Sequence, residues 1–124
     1  MPTLLIAVRS ESLACALRRQ VHSHYQIHTC HTPEEMTAQI SKLRPDALIA
    51  DARLLWTPEQ PHLRIPHPHP PAVLVLTDIA TESILSDIYT TGAHAVMRIP
   101  CKPEAVARTL EYITKEVPRP EHTL

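Results

Sequence analysis

Three short apolar runs limit what this chain can fold into more than any other feature. They cover residues 4–8, 46–51 and 72–77, and the segments between them place apolar side chains at the spacing of a helix. Runs this short, without regular alternation of polar residues, predict parallel strands that are buried on both faces. Strands that alternate with helices in this way indicate an α/β fold with a parallel sheet, helices on both faces and right-handed crossovers.

The whole chain follows the same alternation and predicts five strands. In chain order the expected elements are a strand over 4–8, a helix after Ser10 or Ser12 to about residue 22, a strand over 25–30, a helix that begins after Thr32 and ends at Arg44-Pro45, a strand over 46–51, a strand over 72–77, a helix over 81–91, a strand over 95–99, and a helix from Pro103 to Val117-Pro118. The second strand is the most polar of the five, so we expect it at an edge of the sheet.

A proline-rich segment interrupts the pattern between the third and fourth strands. Six prolines fall within residues 52–71. Because proline removes a backbone donor and clashes with the preceding turn, a helix of one or two turns is expected only over 52–57. Beyond it we expect an extended, polyproline-like excursion. The third helix of the fold is therefore predicted to be shortened or replaced.

Length and charge exclude several classes of protein. The 124 residues suffice for one domain, predicted over 1–117 with a tail or linker over 118–124. A formal net charge of -1 gives no sign of binding to nucleic acid or to a membrane surface. No apolar run is long enough to span a bilayer and no charged leader precedes the first strand, so we expect a cytoplasmic protein. A single glycine leaves no phosphate-binding loop.

Asp51 closes the central apolar run and is the first candidate for chemistry. In open α/β sheets, ligands bind at the edge where the parallel strands end. A carboxylate at that edge can act as a nucleophile that accepts a phosphoryl group. It can equally be an ordinary strand-terminal aspartate that bonds nearby backbone. The residues at the other strand ends decide between these alternatives.

Those strand ends carry a resemblance to a known family. Thr77 ends the fourth predicted strand, Gly92-Ala93 precedes the fifth, and Pro100 follows it. With Asp51, these residues resemble the pattern of a bacterial response-regulator receiver domain, in order and over roughly the whole chain. The resemblance implies a flavodoxin-like sheet in the order 2-1-3-4-5. It also implies that Asp51 corresponds to the phosphoacceptor and Thr77 to the conserved threonine or serine of the family.

The first departure from the family concerns its metal site. Receiver domains have two acidic residues after the first strand, which hold Mg²⁺ beside the phosphoacceptor. An ungapped comparison places Arg9 and Ser10 there, and Glu11 follows one position late. Mg²⁺ requires carboxylates and water, and a guanidinium would repel it. We therefore expect no metal cofactor, with Mg²⁺ bound by Glu11 and Asp51 only if the chain is a working phosphoacceptor.

The second departure concerns the charges that surround a phosphoryl group. The family has a lysine before the proline of the fifth strand, and Ile99 occupies that place before Pro100. Lys102 could replace it only in a shifted alignment. Asp78 stands where the family has a small residue and would add negative charge near a phosphoryl group. Since phosphoryl transfer depends on neutralising negative charge, the sequence indicates a degenerate, pseudo-receiver domain.

Three functions follow in order of preference. The first is a receiver-like signalling and protein-interaction domain of a transcriptional or two-component-type regulator that works without phosphorylation of Asp51. The second is a working phosphoacceptor receiver. The third is a small α/β enzyme using Asp51, Thr77 and Asp78, ranked last because no nucleophile–base pair or cofactor loop is visible, so the chain is expected not to be an enzyme. For the first function, we predict that the Arg9 guanidinium takes the place of the missing Mg²⁺ and pairs with Asp51; the alternative is that Arg9 extends into solvent.

The expected partners are proteins. An output domain could follow the tail, and no DNA-binding motif lies within the chain. Receiver-like domains commonly pair through the fourth helix, fifth strand and fifth helix. That face would carry Tyr89, Met97, Arg98, Arg108, Glu111 and Tyr112, which mix apolar and charged groups as interfaces do. We therefore predict a weak homodimer through this face.

Two histidine-rich stretches remain. The first contains His22, His24, His28, His31 and Cys30, and the second contains His62, His67 and His69. The spacing in the first fits no standard zinc site, and a rigid extended backbone would spread the imidazoles of the second. Solvated polar residues are favoured for both, and metal binding is left open. The three cysteines are expected to be free thiols.

Overall fold

The computed structural model describes residues 1–55, 71–78, 86, 88, 89 and 92–116. In chain order the elements are β1 (Thr3–Ala7), α1 (Glu11–Val21), β2 (Gln26–Cys30), α2 (Pro33–Leu43), β3 (Ala47–Asp51), α3 (Ala52–Leu55), β4 (Ala72–Thr77), β5 (Ala95–Arg98) and α4 (Pro103–Glu116). The five predicted strands are all present, and each strand end differs from the prediction by one residue or less.

The strands form one parallel sheet in the order β2-β1-β3-β4-β5. Leu5 of β1 lies beside Leu48 of β3, and Leu48 lies beside Val73 of β4. β2 is an edge strand, as its polar sequence predicted. The flavodoxin-like α/β fold and its strand order are therefore confirmed.

The sheet separates two apolar cores because successive side chains of each strand point to opposite faces. On one face, Ile6 and Leu74 pack with Leu17 of α1 and Leu110 of α4. On the other face, the buried residues come mainly from β1, β3, β4, α2 and α3, and include Leu5, Leu48, Val73, Met36, Ile40 and Leu54. With no phenylalanine in the chain, both cores are almost entirely aliphatic.

Local sequence sets the ends of the first two helices. Ser10 caps α1, since its side-chain oxygen accepts a hydrogen bond from the Leu13 amide (3.2 Å). Thr32 caps α2 by accepting from the Glu35 amide (3.2 Å). Arg44 ends α2 in the left-handed conformation (φ 47°) directly before Pro45. Of the two candidates for the first cap, the structure selects Ser10.

The structure describes four residues of the third helix, α3, and they lie inside the range predicted for it. The proline-rich excursion beyond α3 and the tail over 118–124 lie outside the described residues, as does most of the helix predicted over 81–91. Within that last range Ser86, Ile88 and Tyr89 are helical. No helix in the described parts of the chain is both long and apolar enough to cross a membrane.

Candidate functional site at the carboxyl edge of the sheet

The candidate site lies where the parallel strands end, called the carboxyl edge below. Ala7 of β1 lies beside Ala50 of β3, so Arg9 and Asp51 leave neighbouring strands at the same edge. Thr77 ends β4, the next strand along, and Asp78 follows it. The sheet order thus brings together residues that are far apart in sequence.

Asp51 is buried, and both of its carboxylate oxygens are bonded. Its Oδ2 accepts from Arg9 Nε (3.1 Å), and its Oδ1 accepts from the backbone amide of Arg53 (3.0 Å). The second bond is the local turn that a strand-terminal aspartate makes with the residue two positions on, and it fixes the start of α3. Only 8% of the Asp51 side chain is exposed, so its charge depends on these partners rather than on water.

Arg9 is the cation that pairs with Asp51. Its side chain is 49% exposed and engages the carboxylate through Nε alone. The two Nη amino groups have no partner among the described residues. Of the two sequence alternatives for Arg9, pairing with Asp51 is the one that the structure shows.

A second arginine at this edge was not anticipated. The guanidinium of Arg53 donates two hydrogen bonds to the carboxylate of Asp78, from Nε to Oδ1 (3.3 Å) and from Nη2 to Oδ2 (2.8 Å). Both side chains are about half exposed, at 47% and 46%. The hydrogen bond from Arg53 holds the pKa of the Asp78 carboxyl below its usual value, and the charges of Arg53 and Arg9 act in the same direction.

The carboxyl edge therefore carries two ion pairs, Arg9 with Asp51 and Arg53 with Asp78. The backbone amide of Arg53, bonded to Asp51, links the two pairs. Their formal charges sum to zero. Asp78 was expected to add negative charge near a phosphoryl group; the structure shows that it also pairs with Arg53. The signal that could have revealed Arg53 is its place two residues after a strand-terminal aspartate, where the helix start brings the chain back to the edge.

The residues that replace the metal-binding acids do not fit Mg²⁺. The hydroxyl of Ser10 caps α1, and Glu11 is the exposed first residue of that helix. Asp51 Oδ2, which would have to face a metal, accepts from a guanidinium instead. In the part of the chain that the structure describes, no three His, Cys, Asp or Glu residues are grouped closely enough to hold a metal ion.

Of the two positions that would contact a phosphoryl group from the other side, Thr77 matches the family and Ile99 departs from it. Thr77 is 1% exposed, and its carbonyl accepts from the Ile99 amide (2.8 Å). Ile99 packs against the core on the α1 and α4 face and offers no charge. Pro100 follows it through a cis peptide bond. Lys102 is exposed and forms no ion pair with a described carboxylate, so the shifted alignment gains no support from the contacts.

Of the six residues predicted for a dimer face, two line a groove between α1 and α4. Tyr89 and Tyr112 are strongly exposed, at 51% and 67%, while Met97 packs against the core beside the exposed Arg98. Arg108 and Glu111 instead line a groove of about 260 Å³ between α1 and α4, whose other walls are Pro2, Gln20, Val21, His24, Tyr25 and Ala107. Glu111 is also paired with Lys115 (3.2 Å).

The histidines of the first cluster make separate contacts. The ring of His31 bonds the Val8 carbonyl through Nδ1 (2.8 Å), and His22 bonds the Arg19 carbonyl (3.1 Å). Because a carbonyl can only accept, Nδ1 carries the hydrogen in each. His31 thereby anchors the end of β1 directly before Arg9. The second cluster, His62, His67 and His69, lies outside the described residues.

Comparison with known proteins agrees with the fold. No protein-family model matches the sequence, and no curated protein matches it. Among solved structures, the receiver domain of a signal transduction histidine kinase from Syntrophus aciditrophicus is similar over 100% of this chain and 98% of its own (TM-score 0.72, 24% identity). A CheY-like receiver domain protein from Methanospirillum hungatei is similar over 94% and 95% (TM-score 0.74, 15% identity).

A third solved structure, the chemotaxis response regulator CheY4 of Vibrio cholerae, is similar over 91% of this chain and 98% of its own (TM-score 0.70, 19% identity). The chain therefore has the fold of response-regulator receiver domains along nearly its entire length. At identities this low, the structural similarity establishes the fold and does not assign the chemistry of the carboxyl edge.

Proposed function

We propose that this chain is a receiver-like signalling and protein-interaction domain of a transcriptional or two-component-type regulator, and that phosphorylation of Asp51 does not regulate it. The observation that carries the proposal is the hydrogen bond from Arg9 Nε to Asp51 Oδ2 (3.1 Å). The guanidinium occupies the carboxylate oxygen that a metal or an incoming phosphoryl group would have to approach.

Charge around the edge supports the same conclusion. A phosphoryl group in transfer spreads negative charge over its oxygens, and catalysis consists mainly of positioning it and neutralising that charge. Ile99 supplies no cation where the family has one, and Asp78 supplies a carboxylate. Each guanidinium at the edge already has a carboxylate partner, Arg9 with Asp51 and Arg53 with Asp78. The edge therefore carries no net positive charge to neutralise the negative charge of a transferred phosphoryl group.

The remaining features suit an interaction domain. The described residues offer no nucleophile–base pair, so we propose no enzymatic activity. Net charge of -1 argues against direct binding to nucleic acid. We propose a cytoplasmic protein that acts through a partner protein or a linked output domain, and that forms a weak homodimer. Without phosphorylation, switching must come from a partner that binds one state of the domain better than another.

Phosphodonor treatment tests the central claim. The purified chain is incubated with acetyl phosphate or phosphoramidate and Mg²⁺, and its intact mass is measured, with a receiver domain known to be phosphorylated in the same tube as a positive control. We expect no added phosphoryl group on this chain. A Mg²⁺-dependent adduct that disappears in Asp51→Asn would instead establish a working phosphoacceptor.

A further inference from the structure

Of the two ion pairs at the carboxyl edge, the pair between Arg53 and Asp78 is the more exposed and therefore the weaker. Asp51 is buried and bonded at both oxygens, so its position is fixed. Asp78 is about half exposed, and its carboxylate is held by the Arg53 fork. Ion pairs exposed on both sides contribute little, because water solvates both groups when they separate. The side chain of Asp78 can therefore leave Arg53 at small cost.

Once Asp78 leaves, the edge presents cationic donors to solvent. Arg53 then has its Nε and Nη groups free, and its backbone remains fixed by the bond from its amide to Asp51. Arg9 adds two Nη groups that have no partner among the described residues, on a side chain 49% exposed. The charge of Arg9 also acts on Asp78, so the two guanidiniums serve the same small region.

The present occupant identifies the chemistry that this region accepts. A carboxylate already sits on the Arg53 fork at 2.8 and 3.3 Å, in the two-point geometry by which guanidinium binds carboxylate. We propose that Arg53, with Arg9 beside it, is a binding site for an acidic side chain of a protein partner, and that Asp78 is a built-in competitor which the partner displaces. The proposal rests on the proposed function as an interaction domain and names the chemistry of its partner.

Because Asp78 competes, its removal and the removal of Arg53 have opposite effects. The apparent affinity of a ligand falls with the fraction of molecules in the competent state. Asp78→Asn frees the fork and is expected to tighten binding, roughly two- to fivefold for an exposed pair. Arg53→Gln removes the fork and is expected to abolish binding. A general loss of fold would not produce this difference in sign, and the effect of net charge alone is measured with Arg108→Gln, which loses the same charge as Arg53→Gln.

The test is a titration with a short glutamate-rich peptide, blocked at both ends, followed by NMR of the arginine Nε–H and backbone amide signals. The glutamine counterpart of the peptide controls for contacts other than charge. Arg108→Gln is the matched control, since Arg108 is an exposed arginine in the groove between α1 and α4. We expect shifts at Arg53 and Arg9 in the wild type, tighter binding in Asp78→Asn, none in Arg53→Gln and no change in Arg108→Gln.

Several results would overturn the proposal: equal affinity of wild type and Asp78→Asn, retained binding in Arg53→Gln, or shifts centred on other residues. Displacement of the peptide by an equal concentration of inorganic phosphate would overturn the choice of a carboxylate. The amide spectrum of each variant reports whether it is folded. No phosphodonor or Mg²⁺ is present, so a failure here is distinct from phosphorylation of Asp51, which would overturn the proposed function alone.

Discussion

Removing either partner of the pair between Arg9 and Asp51 should destabilise the fold by an amount that depends on how far the two side chains are buried. The Asp51 side chain is 8% exposed and the Arg9 side chain 49%. Fully exposed ion pairs contribute about 0–1 kcal/mol, whereas buried hydrogen bonds to charged groups contribute about 1.5–3 kcal/mol. A pair buried at one end lies between them, so we expect a coupling energy of about 1–2 kcal/mol.

Two substitutions isolate this coupling. Arg9→Met keeps most of the aliphatic length and removes the guanidinium. Asp51→Asn keeps an oxygen that accepts from the Arg53 amide and removes the charge that Arg9 needs. The free energy of unfolding of the wild type, both single variants and the double variant is measured by urea titration followed by circular dichroism. Arg108→Met controls for loss of an exposed arginine and should stay within about 0.5 kcal/mol of the wild type.

The expected signature is non-additivity. Each single variant loses the whole pair, so the double variant should lose little more than either one alone. A coupling of this size corresponds to a shift of roughly 3–10 °C in the thermal midpoint of each single variant for a chain of this length. If the two effects instead add to within about 0.3–0.5 kcal/mol, Arg9 does not hold Asp51 in solution and the argument for a pocket closed by an internal cation is wrong.

Three further predictions follow from other contacts. Arg9→Asp places a second carboxylate beside Asp51, so Mg²⁺ should shift backbone amide signals at the carboxyl edge in this variant and leave those of the wild type unmoved. His94 accepts a hydrogen bond at Nδ1 from the Val73 amide (3.0 Å), and burial lowers the pKa of its imidazole from 6.5, so the folded state binds fewer protons and stability should fall as pH drops below about 6.5. His94→Asn keeps an acceptor that does not titrate, so its unfolding free energy should change less than the wild type's between pH 7 and 5; an equal change would contradict this. Light scattering at rising protein concentration should show a dimer that Tyr112→Ser weakens, and a wild type that stays monomeric would refute the dimer.

The sheet could be predicted because its determinants are local. The runs that became β1, β3 and β4 are apolar at every buried position except Asp51 and Thr77, which end β3 and β4, so both faces of the sheet must be covered. Thr32 and Pro33 specify the start of α2 within a few residues. The contact between Arg9 and Asp51 was also within reach, because strand order alone places the two residues on neighbouring strand ends.

The role of Arg53 could not be predicted from strand ends alone. Its contact with Asp78 depends on where α3 begins, which the Asp51 carboxylate sets through a bond to the Arg53 amide. Arg53 is the second residue of α3, so it does not directly follow a strand, yet its side chain reaches the carboxyl edge. Strand ends also say nothing about Arg108 and Glu111, which the resemblance placed on a dimer face and which line the groove between α1 and α4.

The orientation of α4 explains why Arg108 and Glu111 line that groove. Val106, Leu110 and Ile113 point into the core and thereby fix the rotation of the helix about its axis. Residues about 100° apart on a helix face different neighbours, so Glu111 can border α1 while Tyr112 lies on the other flank. An exposed position on a helix is thus predictable from spacing, but the surface to which it belongs depends on how the helix packs.

The burial of the two ion pairs at the carboxyl edge indicates where a signal can act. Asp51 is enclosed, so separating it from Arg9 leaves an uncompensated charge in the protein interior. Asp78 is exposed, so separating it from Arg53 exchanges one solvated partner for another. A partner can shift the domain between two states only if its differential affinity for them exceeds the free energy that separates them. That free energy is small for opening the Arg53 pair and larger for opening the Arg9 pair. Any switch at this edge should therefore move Arg53 and leave Asp51 in place.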